Sequence, residues 1–139
     1  MVQLWKIHNQ LDEGTLCIEG YGWDENGLKI GFSDERQTLY LEITFHLQIE
    51  FAQLKYADAT LYYNDDVYDL MVAANVYPGQ INPFFIVDNL PEEEIDSLNL
   101  YCEKEKELKK YIMVTDDFWI TVLSSIPPEI SVLPFSQKP

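Results

Sequence analysis

From Leu39 to Phe51 every odd position is apolar: Leu39, Leu41, Ile43, Phe45, Leu47, Ile49 and Phe51, with Tyr40, Glu42, Thr44, His46, Gln48 and Glu50 between them. Successive side chains of a strand point to opposite faces, so this period of two predicts a strand with one buried and one solvated face. The run exceeds a typical strand, so a bend or break near His46 is expected, with the two halves feeding successive pairings of one sheet.

Upstream, residues 3–7 form a short strand candidate, and residues 16–23 and 28–32 flank Asn26-Gly27. That dipeptide suits a type I′ hairpin turn, because both central residues tolerate positive φ. A two-residue loop there sets Asp24 opposite Lys29, Trp23 opposite Ile30 and Tyr21 opposite Phe32. Leu16 and Ile18 have the opposite parity to Tyr21 and Trp23, which predicts a bulge or close backbone approach near Gly20 or Gly22. Residues 33–37 read as the polar turn into the long strand.

Downstream, Leu54, Tyr56 and Leu61 suggest a further strand, followed by an exposed acidic turn at Asn64, Asp65 and Asp66. Within residues 67–77, Val67, Leu70, Met71 and Ala74 have helical spacing while Tyr, Val and Asn are mediocre helix formers, and a short helix or a helix-like loop is expected. Tyr77-Pro78-Gly79-Gln80 is a type II turn signal. Residues 84–87 read as a buried strand, and residues 91–100 as a short helix with Pro91 in its first turn and Glu92, Glu93 and Glu94 at the positive end of its dipole. Residues 103–110 alternate in charge sign and read as a solvated segment with local ion pairs. Residues 110–114 and 118–123 are rich in strand formers around Thr115-Asp116-Asp117, either as a hairpin or as a strand running into a short helix. Pro127-Pro128 stops regular structure, and residues 131–139 are expected to be a loose tail. These readings predict one α+β domain over residues 1–139. It is mainly antiparallel sheet, as a curved sheet, sandwich or partial barrel, with one or two short helices.

Composition adds a partner class. The 139 residues, 47% hydrophobic and 14% aromatic, suffice for one domain with a substantial core. The formal net charge is -15, unevenly spread: ten acids and four bases in residues 1–60, eight acids and no base in 61–101, and six acids and five bases in 102–139. No Lys or Arg lies between Lys55 and Lys104. So one-sided a block disfavours nucleic acid and anionic membranes, whose recognition needs Lys and Arg. It favours a cationic partner, or solubility through self-repulsion alone. With no apolar leader or membrane-length run, and with Cys17 and Cys102 in no metal-type or redox-type spacing, the expected setting is the cytoplasm with both thiols reduced.

Signatures that would name a reaction are missing. His8 and His46 are the only histidines, and no HExxH, Gly-x-Ser-x-Gly, Walker loop or dinucleotide fingerprint occurs. His46 reads as a surface histidine, and each cysteine as a small packed side chain rather than a nucleophile. The cluster Asn64, Asp65, Asp66 and Asp69 fails the calcium-loop spacing. Neighbouring carboxylates such as Asp116-Asp117 and Asp24-Glu25 point to opposite faces of a strand. The chain is therefore expected to be non-enzymatic, without catalytic residues, cofactor or metal. Its candidate contacts are Tyr62, Tyr63, Asp65, Asp66, Tyr68 and Asp69, joined by Glu92, Glu93, Glu94 and Asp96. Tyrosine offers contact area at low entropic cost, and carboxylates complement Lys and Arg.

Two segment pairs carry a family resemblance. Cys17-Ile18-Glu19-Gly20-Tyr21 with Leu28-Lys29-Ile30-Gly31-Phe32, and Tyr111-Ile112-Met113-Val114-Thr115-Asp116-Asp117 with Val122-Leu123-Ser124 and Pro128-Glu129-Ile130, resemble small acidic bacterial immunity proteins of polymorphic toxin systems. The resemblance implies a monomer or weak homodimer that binds and neutralises a cognate toxin inside the producing cell. Many such toxins are nucleases with basic clefts. Two other classes fit the same residues: a small enzyme or ligand carrier with a pocket lined by Trp5, Trp23 or Trp119, and a structural homo-oligomer built by edge-to-edge pairing of aromatic strands.

Overall fold

A computed structural model describes residues 1–5, 7, 16–34, 36–46, 49–56, 65–75, 84–91, 93–94, 108–115 and 118–139. Its strands are β1 (Val2–Leu4), β2 (Leu16–Asp24), β3 (Gly27–Asp34), β4 (Leu39–Phe45), β5 (Ile49–Tyr56), β6 (Phe84–Val87), β7 (Lys109–Val114), β8 (Phe118–Ser124) and β9 (Glu129–Pro134). The helix α1 (Asp65–Ala73) precedes β6. Two sheets result, β1-β6-β7-β8-β5 and β2-β3-β4-β9, antiparallel at every pairing. The architecture is the expected α+β class dominated by antiparallel sheet, and the sheets do not close into a barrel.

The organising strand bends where the periodicity places the bend, but its halves join different sheets. Thr44 pairs with Glu129 in one sheet and Ile49 with Ser124 in the other, so the same two stretches of chain are paired in both sheets. A two-stranded ribbon thus crosses from one sheet to the other, as at the corners of orthogonally packed sheets. His46 Nε2 lies 3.3 Å from the Glu129 carboxylate across this corner. A register shift between Ile49 and Phe51 then changes parity, so Ala52 and Leu54, paired with Val122 and Ile120, take the inner face. The polar face of β4 is also drier than alternation predicts. Tyr40 and Thr44 are each 8% exposed, because Tyr40 lies between Ser33 and Leu133, and Thr44 between Lys29 and Glu129, on the flanking strands.

Between the sheets lies the main core. Leu41, Ile43 and Phe45 are fully buried, and the Phe32–Phe84 and Phe45–Tyr111 ring pairs, each with centroids 5.3 Å apart, join the two layers. The apolar runs of β6 and β7 are buried on both faces, as runs without alternation should be. Phe84, Tyr111 and Met113 face the other sheet, while Phe85, Ile112 and Val114 face α1, which buries Val67 and Met71 against them. Full burial of a side chain such as Met71 contributes about 1.5–3 kcal/mol.

Three turn and terminal expectations change. In the first hairpin Trp23 pairs with Leu28 and Tyr21 with Ile30, so the loop is Glu25-Asn26 and not Asn26-Gly27. The Asp24 carboxylate accepts a 2.7 Å hydrogen bond from the Asn26 N–H. Gly27 takes the positive φ, +129°, and the expected Asp24–Lys29 ion pair survives as a 3.2 Å diagonal contact. The expected bulge is present, between Ile18 and Gly20.

Residues 131–139 are not a loose tail. β9 completes the β4 ladder, the Phe135 N–H bonds the Thr38 carbonyl at 2.9 Å, and Lys138 pairs with Glu19 at 3.0 Å. Lys109, expected in a solvated segment, belongs to β7 together with the expected strand from Lys110, and β7 forms a hairpin with β8. The type II turn at 77–80 and most of the expected helix at 91–100 lie outside the described residues. At its start the Glu94 N–H bonds the Pro91 carbonyl at 3.0 Å. No helix among the described residues is long and apolar enough to cross a membrane.

Candidate functional site

The acidic segment expected to be a turn is the first part of α1. Asp65 and Asp66 occupy its first turn, where the helix dipole favours negative charge. Asn75, with φ +58°, ends it in the left-handed conformation, its N–H bonded to the Val72 carbonyl at 3.0 Å. Because Val67, Leu70, Met71 and Ala74 face the sheet, the 3.6-residue period sends Asp65, Asp69 and Val72 along the opposite crest, flanked by Asp66 and Tyr68. Tyr68 is 48% and Val72 57% exposed. Packing has therefore made a rigid rack of carboxylates with two apolar contacts among them.

The second predicted patch divides. Glu93 is exposed, whereas the Glu94 carboxylate accepts a hydrogen bond and ion pair from Lys110 of β7. Lys110 shares the parity of Ile112 and Val114, so Glu94 is tied to the sheet face that carries α1. Tyr62, Tyr63, Glu92 and Asp96 lie outside the described residues. His46 is a surface side chain, 37% exposed. Cys17 is exposed rather than packed, because it lies on the outer face of an edge strand opposite Ser33. Cys102 lies outside the described residues.

Of the three tryptophans named as possible pocket lining, Trp23 lines a cleft between the sheets. Tyr21 and Trp23 pair with Ile30 and Leu28 and so lie on the inner face. Yet they are 60% and 61% exposed while Ile30 and Leu28 are 1% and 5%. They wall a cavity of about 280 Å³ whose far side is Ala52, Gln53 and Leu54 and whose floor includes Ile120. The signal was the Gly-Tyr-Gly-Trp alternation beside the bulge, which sets two large rings on one face of an edge strand. Trp5 instead packs on Phe84 and Tyr111 in the core, and Trp119 packs beneath α1 with its Nε1 donating to Thr121.

The opposite side of β2 is a shallow groove of about 380 Å³, floored by Gly20, Gly22 and Gly31 and rimmed by Glu19, Asp24, Lys29, Tyr40 and Lys138. Hydrogen bonds from the Ser33 hydroxyl and then from Lys138 hold the Glu19 carboxyl below its ordinary pKa. The Asn26 N–H and then Lys29 do the same for Asp24. Both rim carboxylates are therefore ionised. No group of three or more potential metal-ligating side chains occurs among the described residues. No protein-family model, curated protein or solved structure matches the chain.

Proposed function

We propose that this protein is a non-enzymatic inhibitor of the immunity type, which neutralises a basic cognate toxin in the cytoplasm of the cell that makes it. The observation that carries the reading is the exposed crest of α1, where Asp65, Asp69 and Val72 line up above a fully buried Val67 and Met71. A helix anchored in this way offers its carboxylates at fixed spacing, so little ordering entropy is lost on docking. Its charge speeds encounter with a basic surface, and Tyr68 and Val72 supply desolvated contact that slows release. The run of eight acids and no base over residues 61–101 strengthens the same field. A nuclease suits this partner class, since its substrate cleft must carry Lys and Arg.

The test is co-purification with products of the neighbouring genes from the source organism, followed by association kinetics at low and moderate salt. A single basic partner should be recovered. The triple variant Asp65→Asn, Asp66→Asn, Asp69→Lys should associate about tenfold more slowly at low salt with an unchanged circular dichroism spectrum. Association at the parental rate would refute the assignment of this face.

A further inference from the structure

Strand β2 is the outermost strand of its sheet, and among the described residues it pairs only with β3. Natural edge strands are commonly blunted by Lys, Pro or a bulge. Here the bulge lies between Ile18 and Gly20, and the stretch from Gly20 to Asp24 beyond it contains neither Lys nor Pro. We infer that the Gly20–Asp24 edge is a docking site for an extended segment of a partner protein in which apolar residues alternate with Lys or Arg.

Each requirement on the segment comes from one side of β2. The unpaired backbone groups of an edge are satisfied by another extended chain, which a helix or a compact ligand cannot match. On the inner side, the cavity between Trp23 and Leu54 has no charged side chain in its lining, so the segment's inward residues must be apolar. Tyr21 and Trp23, each about 60% exposed, would lose that exposure beneath them. On the outer side, a Cβ added at Gly20 or Gly22 would meet nothing within 4 Å, so long side chains from the added strand can lie flat across the sheet. There Lys29 and Lys138 balance Asp24 and Glu19, leaving Glu42, next to Gly31 in the ladder, and the exposed Glu25 to set the sign. With a net charge of -15 behind them, the outward residues of the segment are basic. The same charge repels a second copy of this chain from the edge. The site lies away from α1, so it stands or falls independently of the toxin reading.

The probe is the peptide Ac-KVKVKVK-NH2, titrated against the full chain and followed by Trp fluorescence and by amide shifts of Gly20 to Asp24. Two further peptides carry N-methyl groups on every valine or on every lysine, each blocking one edge of the added strand. The parent peptide should bind below about 1 mM. The block isomer Ac-VVVKKKK-NH2 and one methylated peptide should bind about tenfold more weakly, and the other methylated peptide should keep its affinity. Trp23→Ala, at an exposed position that leaves the fold intact, should weaken the parent peptide about tenfold. Equal binding of all four peptides would reduce the effect to charge attraction. Indifference to Trp23→Ala, no binding at about 1 mM, or a peptide-free mass that grows to a dimer with concentration would each overturn the inference.

Discussion

Replacing Gly27 by alanine tests the joint between the first hairpin turn and the corner where the long ribbon changes sheets. Gly27 has φ +129°, and a Cβ built on it would lie 2.0 Å from the Phe45 carbonyl oxygen and 2.9 Å from the His46 Cα. Both obstacles are backbone and cannot rotate away. Forcing a side chain into that region of φ costs about 1–3 kcal/mol, and displacing the packed corner adds roughly 1–3 kcal/mol, as for an overpacked core. The sum is a large share of the roughly 5–15 kcal/mol that holds a domain folded. Gly22→Ala is the control, since its Cβ would meet nothing within 4 Å, and its effect should stay within about 0.5 kcal/mol. In urea, with a slope of about 1–3 kcal/mol per molar, the midpoint of Gly27→Ala should fall by on the order of 1–3 M while Gly22→Ala stays near the parent. A midpoint for Gly27→Ala within about 0.3 M of the parent at unchanged slope would mean that the turn does not approach the corner in solution. Because Gly27 pairs with Asp24, the same variant should also move Trp23, so its fluorescence maximum should shift in the folded state.

Two further outcomes follow from the fold. Burial pushes the Asp34 carboxyl up, but hydrogen bonds from the Thr38 hydroxyl and from the N–H groups of Leu39 and Thr38 outweigh it and hold the carboxyl below its ordinary pKa. Between the folded and unfolded pKa the unfolded chain binds more protons, so this stabilisation is complete above the ordinary value and is lost as pH falls through the folded one. Asp34→Asn should therefore lower the melting temperature at pH 7 and flatten its decline below about pH 4; an undiminished acid slope would remove Asp34 from that role. A chain ending at Pro128 lacks β9 and so leaves the ladder from Leu39 to Thr44 unpaired on one side. It should show no cooperative thermal transition by circular dichroism, and a sharp transition would refute the importance of the terminal strand.

Elements governed by neighbouring residues were legible in the chain. The strict alternation of Leu39 to Phe45, the helical spacing of Val67, Leu70, Met71 and Ala74, and the parity conflict around Gly20 each report a local geometry, and each matches an observed element. The candidate site was legible in part. Asp65, Asp66, Tyr68 and Asp69 were singled out from charge and tyrosine content, but Asp65 and Asp66 were assigned to a turn, because propensity alone leaves so short a helix marginal until Val67 and Met71 find the sheet. The ion pair of Glu94 with Lys110 of β7 was not legible at all, because it joins residues from separate elements.

What the tertiary structure alone decides are relations between residues far apart in the chain. Composition and periodicity carry the class of fold, the faces of individual strands and the acidic character of the surface, since these need only the residue and its neighbours. They do not carry which sheet β5 joins, because that depends on its pairing with β8, more than sixty residues further along the chain. Nor do they show that the last residues are held, since Lys138 meets Glu19 across a separation of 119 residues. The cleft is of the same kind. Tyr21 and Trp23 carry the alternation of buried residues, and they stand open to solvent because in the described fold β2 is the last strand of its sheet.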